Sequence, residues 1–193
     1  MNAKRIHQKG FTLIELAVAT VVLLVGVVAV MQLVPEAMRA NLRNRHDTTA
    51  AVVAQRFRDL IARQALTDDF IVDPMNQFPV CQPQLAGGNC RFGDPARSDI
   101  PVGATVRLFR TSTGRVMDAM VDFNAGVENG YQFTYRDPND PLRANYEVRW
   151  TVITSVRNVG KLASQIVSKR VIIGVRRQGD PTQSVFFNTL VVR

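Results

Sequence analysis

At 193 residues, 46% of them hydrophobic and 21% charged, the chain has the composition of one folded domain plus an apolar segment, which excludes an intrinsically disordered protein. Its formal net charge of +8 includes Lys4, Arg5 and Lys9; without them 21 basic residues face 16 acidic ones, a side-chain balance of +5 carried mostly by arginine. With 2 histidines and 2 cysteines there are too few side chains for a convincing zinc site or Ser-His-Asp arrangement, so no metal, no cofactor and no enzymatic activity are expected.

The chain opens with a basic head that contains no acid, Met1 to Gly10. There follows Phe11-Thr12-Leu13-Ile14-Glu15-Leu16 and an apolar run to Val34. A secretory signal places its apolar region before a small-x-small cleavage site and loses that region. Here the Gly10-Phe11 junction precedes the apolar run. Phe11–Val34 spans about 36 Å as a helix, enough to cross a bilayer. Glu15 is the anomaly. An acid at a helix centre costs roughly 2.5–3.5 kcal/mol on insertion scales, against roughly 5–9 kcal/mol returned by about 15 Leu, Ile, Phe and Val residues. The segment inserts despite its carboxylate, and an intramembrane acid implies a function and a partner. A cut after Gly10 would supply that partner, the free amine of Phe11.

Gly10-Phe11-Thr12-Leu13-Ile14-Glu15-Leu16 resembles the class III signal of type IV pilins and type II secretion pseudopilins, with the similarity firm over about residues 4–66. The resemblance implies that 1–10 is a leader removed by a prepilin peptidase, which cuts between Gly10 and Phe11 and methylates the new N-terminal Phe11. It implies that Glu15 serves assembly with other pilin or pseudopilin subunits. It also implies a single-pass protein of the bacterial inner membrane with a periplasmic C-terminal domain, transferred later to a pilus or pseudopilus at the cell surface. The basic head favours a cytoplasmic start, although Arg39, Arg43 and Arg45 blunt the charge asymmetry.

Within the apolar run, Ala17, Ala19, Gly26 and Ala29 either permit close helix approach or face lipid. Pro35 removes one helical hydrogen bond and is expected to kink the axis between a transmembrane and filament-core helix, 11–34, and an amphipathic stalk, 35–66. In the stalk, Ala50, Val53, Phe57, Leu60 or Ile61, and Gln64 or Ala65 recur at helical spacing. A helix from Phe11 to about Leu66 would reach roughly 80 Å. His46 is expected to be solvated. The stalk arginines read as a wet helix face before a nucleic-acid patch, so a nucleic-acid partner is not favoured.

Residues 67–193 are expected to form a β-rich globular region. Pro74, Pro79, Pro83, Pro95, Pro101 and Gly87-Gly88 mark an irregular connection over 67–103. It holds Cys81 and Cys90, and an even cysteine count in a domain placed outside the cytoplasm predicts one disulfide. Asp68, Asp69 and Asp73 read as loop solvation. Beyond 103 the period becomes two, predicting three hairpins: 104–110 with 115–123, 131–136 with 145–156, and 168–177 with 184–192. Tyr146, Val148, Trp150 and Val152 share one face, which suits a sheet with one covered and one wet side. Asp137, Asn139 and Asp140 read as turn formers before calcium ligands.

The expected fold is α+β and pilin-like, a long N-terminal helix packed on a C-terminal antiparallel sheet. The last strands loosely resemble those of PilV-like minor pilins. The expected function is that of a minor pilin or pseudopilin in filament assembly or tip initiation. The alternatives are a DNA-binding minor pilin for DNA uptake and a membrane-anchored extracytoplasmic binding domain whose leader stays uncut.

Overall fold

The computed structural model describes residues 12–81, 90–110, 116–136, 138, 140, 143–158, 164–179 and 184–192. Gly10, Phe11, Gly87-Gly88, Asp137 and Asn139 lie outside the described residues. The chain divides into two units, Met1–Arg45 and His46–Arg193. Helix α1, Leu13–Ile61, begins in the first and ends in the second.

In the first unit every described residue, from Thr12 to Arg45, is exposed. An all-round apolar helix rich in valine has no stripe to bury. It suits a hydrocarbon environment, where the backbone must satisfy its own hydrogen bonds. The helix continues through Pro35, whose missing N–H leaves the Met31 carbonyl without its usual partner.

In the second unit α1 becomes amphipathic. His46, Ala50, Val53, Ala54, Phe57, Leu60 and Ile61 are buried, at the three- and four-residue spacing of one helix face. Phe57 is wedged among three rings, 5.0 Å from Trp150, 5.3 Å from Phe133 and 5.4 Å from Phe78 between centroids. The helix stops at Ile61, short of the expected Leu66, because its last turn is taken over by a side chain. Gln64 is buried, and its Nε2 donates to the carbonyls of Leu60 (3.1 Å) and Val72 (3.0 Å). Its Oε1 accepts from the Val72 N–H at 3.2 Å. Gln64 thus caps orphan carbonyls and ties down the returning chain.

The sheet that receives the helix is antiparallel. Its strands are β1 (Pro101–Gly103), β4 (Gln132–Arg136), β5 (Asn145–Asn158), β6 (Ser164–Arg177) and β7 (Ser184–Val192), in the order β1-β5-β6-β7 with β4 also on β5. Pairing Trp150 with Ile173, and Val148 with Val175, sets Tyr146, Val148, Trp150 and Val152 on the same face as Val171, Ile173 and Val175. All seven are fully buried.

The opposite face is not the wet one expected. β2 (Val106–Arg110) and β3 (Val116–Val121) form a separate two-stranded sheet. Ala104, Ala119, Val121 and Phe123 cluster there with Ile172 of β6. Gly174 permits this approach, since a Cβ there would lie 2.9 Å from that of Val121. Beside it Glu147 pairs with Arg149 at 2.6 Å and with Arg176 at 2.9 Å. The three expected hairpins are present in their strands and pairings.

Candidate processing and assembly segment

The geometry at the start of α1 follows from Thr12. Its Oγ1 accepts a hydrogen bond from the Glu15 N–H at 3.3 Å, and its carbonyl accepts from the Leu16 N–H at 3.2 Å. These are the bonds of an N-cap residue, which satisfies a donor that the first helical turn leaves orphaned. Thr12-x-x-Glu15 is also the spacing of a capping box. The Glu15 carboxylate thus stands in the first turn, where a negative charge complements the helix dipole. Leu13, Ile14 and Leu16 around it are 86%, 73% and 64% exposed, a greasy surface with one carboxylate. The hydroxyl of Thr20 donates to the Leu16 carbonyl at 2.7 Å and so makes no demand for an outside partner.

In the second unit the predicted disulfide is present between Cys81 and Cys90, with Cα atoms 5.2 Å apart. Both cystine carbonyls are used: Asp73 N–H donates to that of Cys81 at 3.0 Å and Ile71 N–H to that of Cys90 at 2.8 Å. The irregular connection is therefore knit to itself along 71–73. Asp73 contributes more than solvation. Its buried carboxylate accepts from the N–H groups of Met75 (3.0 Å) and Phe78 (2.6 Å) and so shapes the turn that brings Phe78 to Phe57.

Two further residues depart from the sequence reading. His46 is buried rather than solvated, with Nδ1 3.3 Å from the Tyr146 hydroxyl. Lys169 was not singled out at all, yet it is fully buried on the helix-facing side of β6. Its Nζ donates at 2.6 Å to the carbonyls of both Asp68 and Phe92 and sits 4.1 Å from the centroid of the Phe92 ring. Burial pushes its ammonium down from 10.5 to about 8, against the pull of Asp69 and Asp68. The strand alternation held the signal: Lys169 precedes Val171-x-Ile173-x-Val175 in the inward parity. Among the described residues no group of three or more His, Cys, Asp or Glu stands together as a metal site.

Residues 5–31 match the prokaryotic N-terminal methylation motif, the signature of type IV pilins and pseudopilins. The matched segment covers the Gly10-Phe11 junction, the Thr12 cap, Glu15 and the apolar start of α1. It supports a type IV pilin-like or pseudopilin protein and implies processing by a prepilin peptidase and assembly with other pilins. With the apolar part of α1, whose mean hydropathy reaches 2.8, it fits a single-pass inner-membrane anchor. No curated protein and no solved structure matches the chain.

Proposed function

We propose that this chain is a minor pilin or pseudopilin, a subunit for filament assembly or tip initiation and a substrate of its processing enzyme rather than a catalyst. The methylation motif carries the reading, because its matched residues, 5–31, span both the Gly10-Phe11 junction and the helix cap at Thr12. On this reading the peptidase cuts between Gly10 and Phe11, Phe11 becomes the methylated terminus, and its amine is answered by Glu15 in the same chain or a neighbour. Pro35 marks the passage from the membrane or filament core to the stalk. The domain from His46 onward stays periplasmic until it reaches the filament, where its sheet contacts partner subunits.

Intact-mass measurement of protein taken from native membranes tests this. The expected species lacks residues 1–10 and carries one methyl group on Phe11. Gly10→Val is expected to leave full-length precursor in the membrane, because a branched side chain obstructs close approach of the peptidase. Normal processing of that variant would overturn the assignment.

A further inference from the structure

We propose that Arg39 and Arg43 bind the phosphates of anionic lipids on the C-terminal side of the membrane and thereby fix the depth of α1. The inference rests on reading α1 as an anchor. From Leu13 to Val34 the apolar run covers about 33 Å at 1.5 Å per residue, close to the roughly 30 Å of a bilayer's hydrocarbon core. The headgroup layers add about 5–7 Å on each side. Arg39 therefore lies about 7.5 Å past Val34, at the outer edge of the headgroup layer, and Arg43 about 6 Å beyond it, a distance that an extended arginine side chain spans. Long cationic side chains at such positions turn back toward the interface.

The two arginines are four residues apart and so share one face of the helix. Arg39 pairs with Glu36 at 3.0 Å, but the two side chains are 66% and 70% exposed, and so open an ion pair is weak and exchangeable. Arg43 is exposed and has no partner among the described residues. Between Pro35 and Arg45 one acid, Glu36, stands against Arg39, Arg43 and Arg45. A guanidinium fork matches two phosphate oxygens at once, which an ammonium does not. Removing the leader would take Lys4, Arg5 and Lys9 from the other flank. The processed chain would then be held by charge chiefly at Arg39 and Arg43.

The test uses the full chain in phosphatidylcholine vesicles carrying a trace of spin-labelled phosphatidylglycerol or spin-labelled phosphatidylcholine. Five proteins are compared: the natural chain, Arg39→Gln/Arg43→Gln, a leader-neutral control, Lys4→Gln/Arg5→Gln/Lys9→Gln, and that control with Arg39 and Arg43 both replaced by glutamine or both by lysine. The natural chain and the control are expected to enrich phosphatidylglycerol at the protein surface by about two- to five-fold, an enrichment erased by high salt. In the control this preference is expected to fall to near unity when Arg39 and Arg43 are also replaced by glutamine. Replacement by lysine in that background should retain part of it. Unchanged selectivity after loss of both arginines overturns the proposal. All variants should resist an alkaline wash; a natural chain that washes off the vesicles overturns the anchor reading itself.

Discussion

Before Arg45 and after His46 the polypeptide meets opposite demands. Leu13, Val22 and Leu33 are 86%, 67% and 67% exposed, whereas Val53, Phe57 and Ile61 are fully buried. Up to Val34 the first segment is, Glu15 aside, apolar in every direction and needs an apolar solvent; the second is apolar on one stripe and needs one partner surface, which the chain itself provides. Consequently the domain beginning at His46 draws its stability from residues it contains, and the segment before it draws on its surroundings. Substitutions in the two should separate cleanly, changing assembly in one and folding in the other.

The largest expected effect tests the first segment. Glu15→Leu makes the anchor more hydrophobic by roughly 3 kcal/mol on the insertion scale. An incidental carboxylate would make this change silent. If it answers the Phe11 amine, the substitution strands a charge at a cost of about 3–5 kcal/mol. The expected variant inserts, is cut after Gly10 and is missing from sheared filaments, while the domain beyond His46 keeps its unfolding midpoint. Equal incorporation of variant and natural chain would remove Glu15 from assembly.

Phe57→Ala is the converse. Emptying the space among Phe78, Phe133 and Trp150 is expected to cost the domain about 3–5 kcal/mol in denaturant unfolding, with cleavage after Gly10 untouched. A loss under 1 kcal/mol would mean that the stripe is not what holds helix to sheet. Next in size is the cystine: Cys81→Ser/Cys90→Ser is expected to cost about 2–3 kcal/mol, read from the same unfolding curves. Labelling of both thiols in denatured natural protein would contradict the bond.

The smallest effect is one of pH. Lys169 is pushed down from 10.5 to about 8, so between those values the unfolded chain binds more protons and stability rises with pH, by about 1–3 kcal/mol. Tyr131 is pushed up by burial from 10.0 to about 12, so above pH 10 the unfolded phenol ionises first and stability falls. A maximum near pH 10 is expected, and Lys169→Met should abolish the rising limb. A flat profile from pH 8 to 10 would show that the two carbonyls hold the ammonium charged.

Much of this was readable from residue order. Alternation identified the strand pairs, and the spacing of Ala50, Val53 and Phe57 identified the face of α1 that meets them. What escaped depends on partners distant in sequence. Gln64 ends the helix because Val72 returns beside it, and His46 is buried because Tyr146 lies across from it. Helical periodicity does not carry the first fact; it does place His46 four residues before Ala50 on the buried face, where its polarity argued against burial. The second sheet escaped for a similar reason: Ile172 and Gly174 on the supposedly wet face gain their meaning only when Val121 and Phe123 fold over them. Lys169 shares the inward parity, and what lets a cation stand there is a pair of backbone carbonyls distant in sequence, those of Asp68 and Phe92. The methylation motif over residues 5–31 was legible, since it is written in consecutive residues.

The way α1 is held in the domain beginning at His46 has a mechanical consequence. The five strands of the larger sheet are joined by ladders of backbone hydrogen bonds, but His46–Ile61 lies on it mainly by interlocked side chains. Tension entering through α1 would thus meet first not the β5–β6 ladder but the ring of Phe57, caught between Phe78, Phe133 and Trp150. Sliding the helix along its axis requires that ring to clear three others. The joint is therefore expected to act as a bolt in a socket, yielding by abrupt slip rather than gradual stretch, with Phe57 the bulkiest of the buried side chains that resist it.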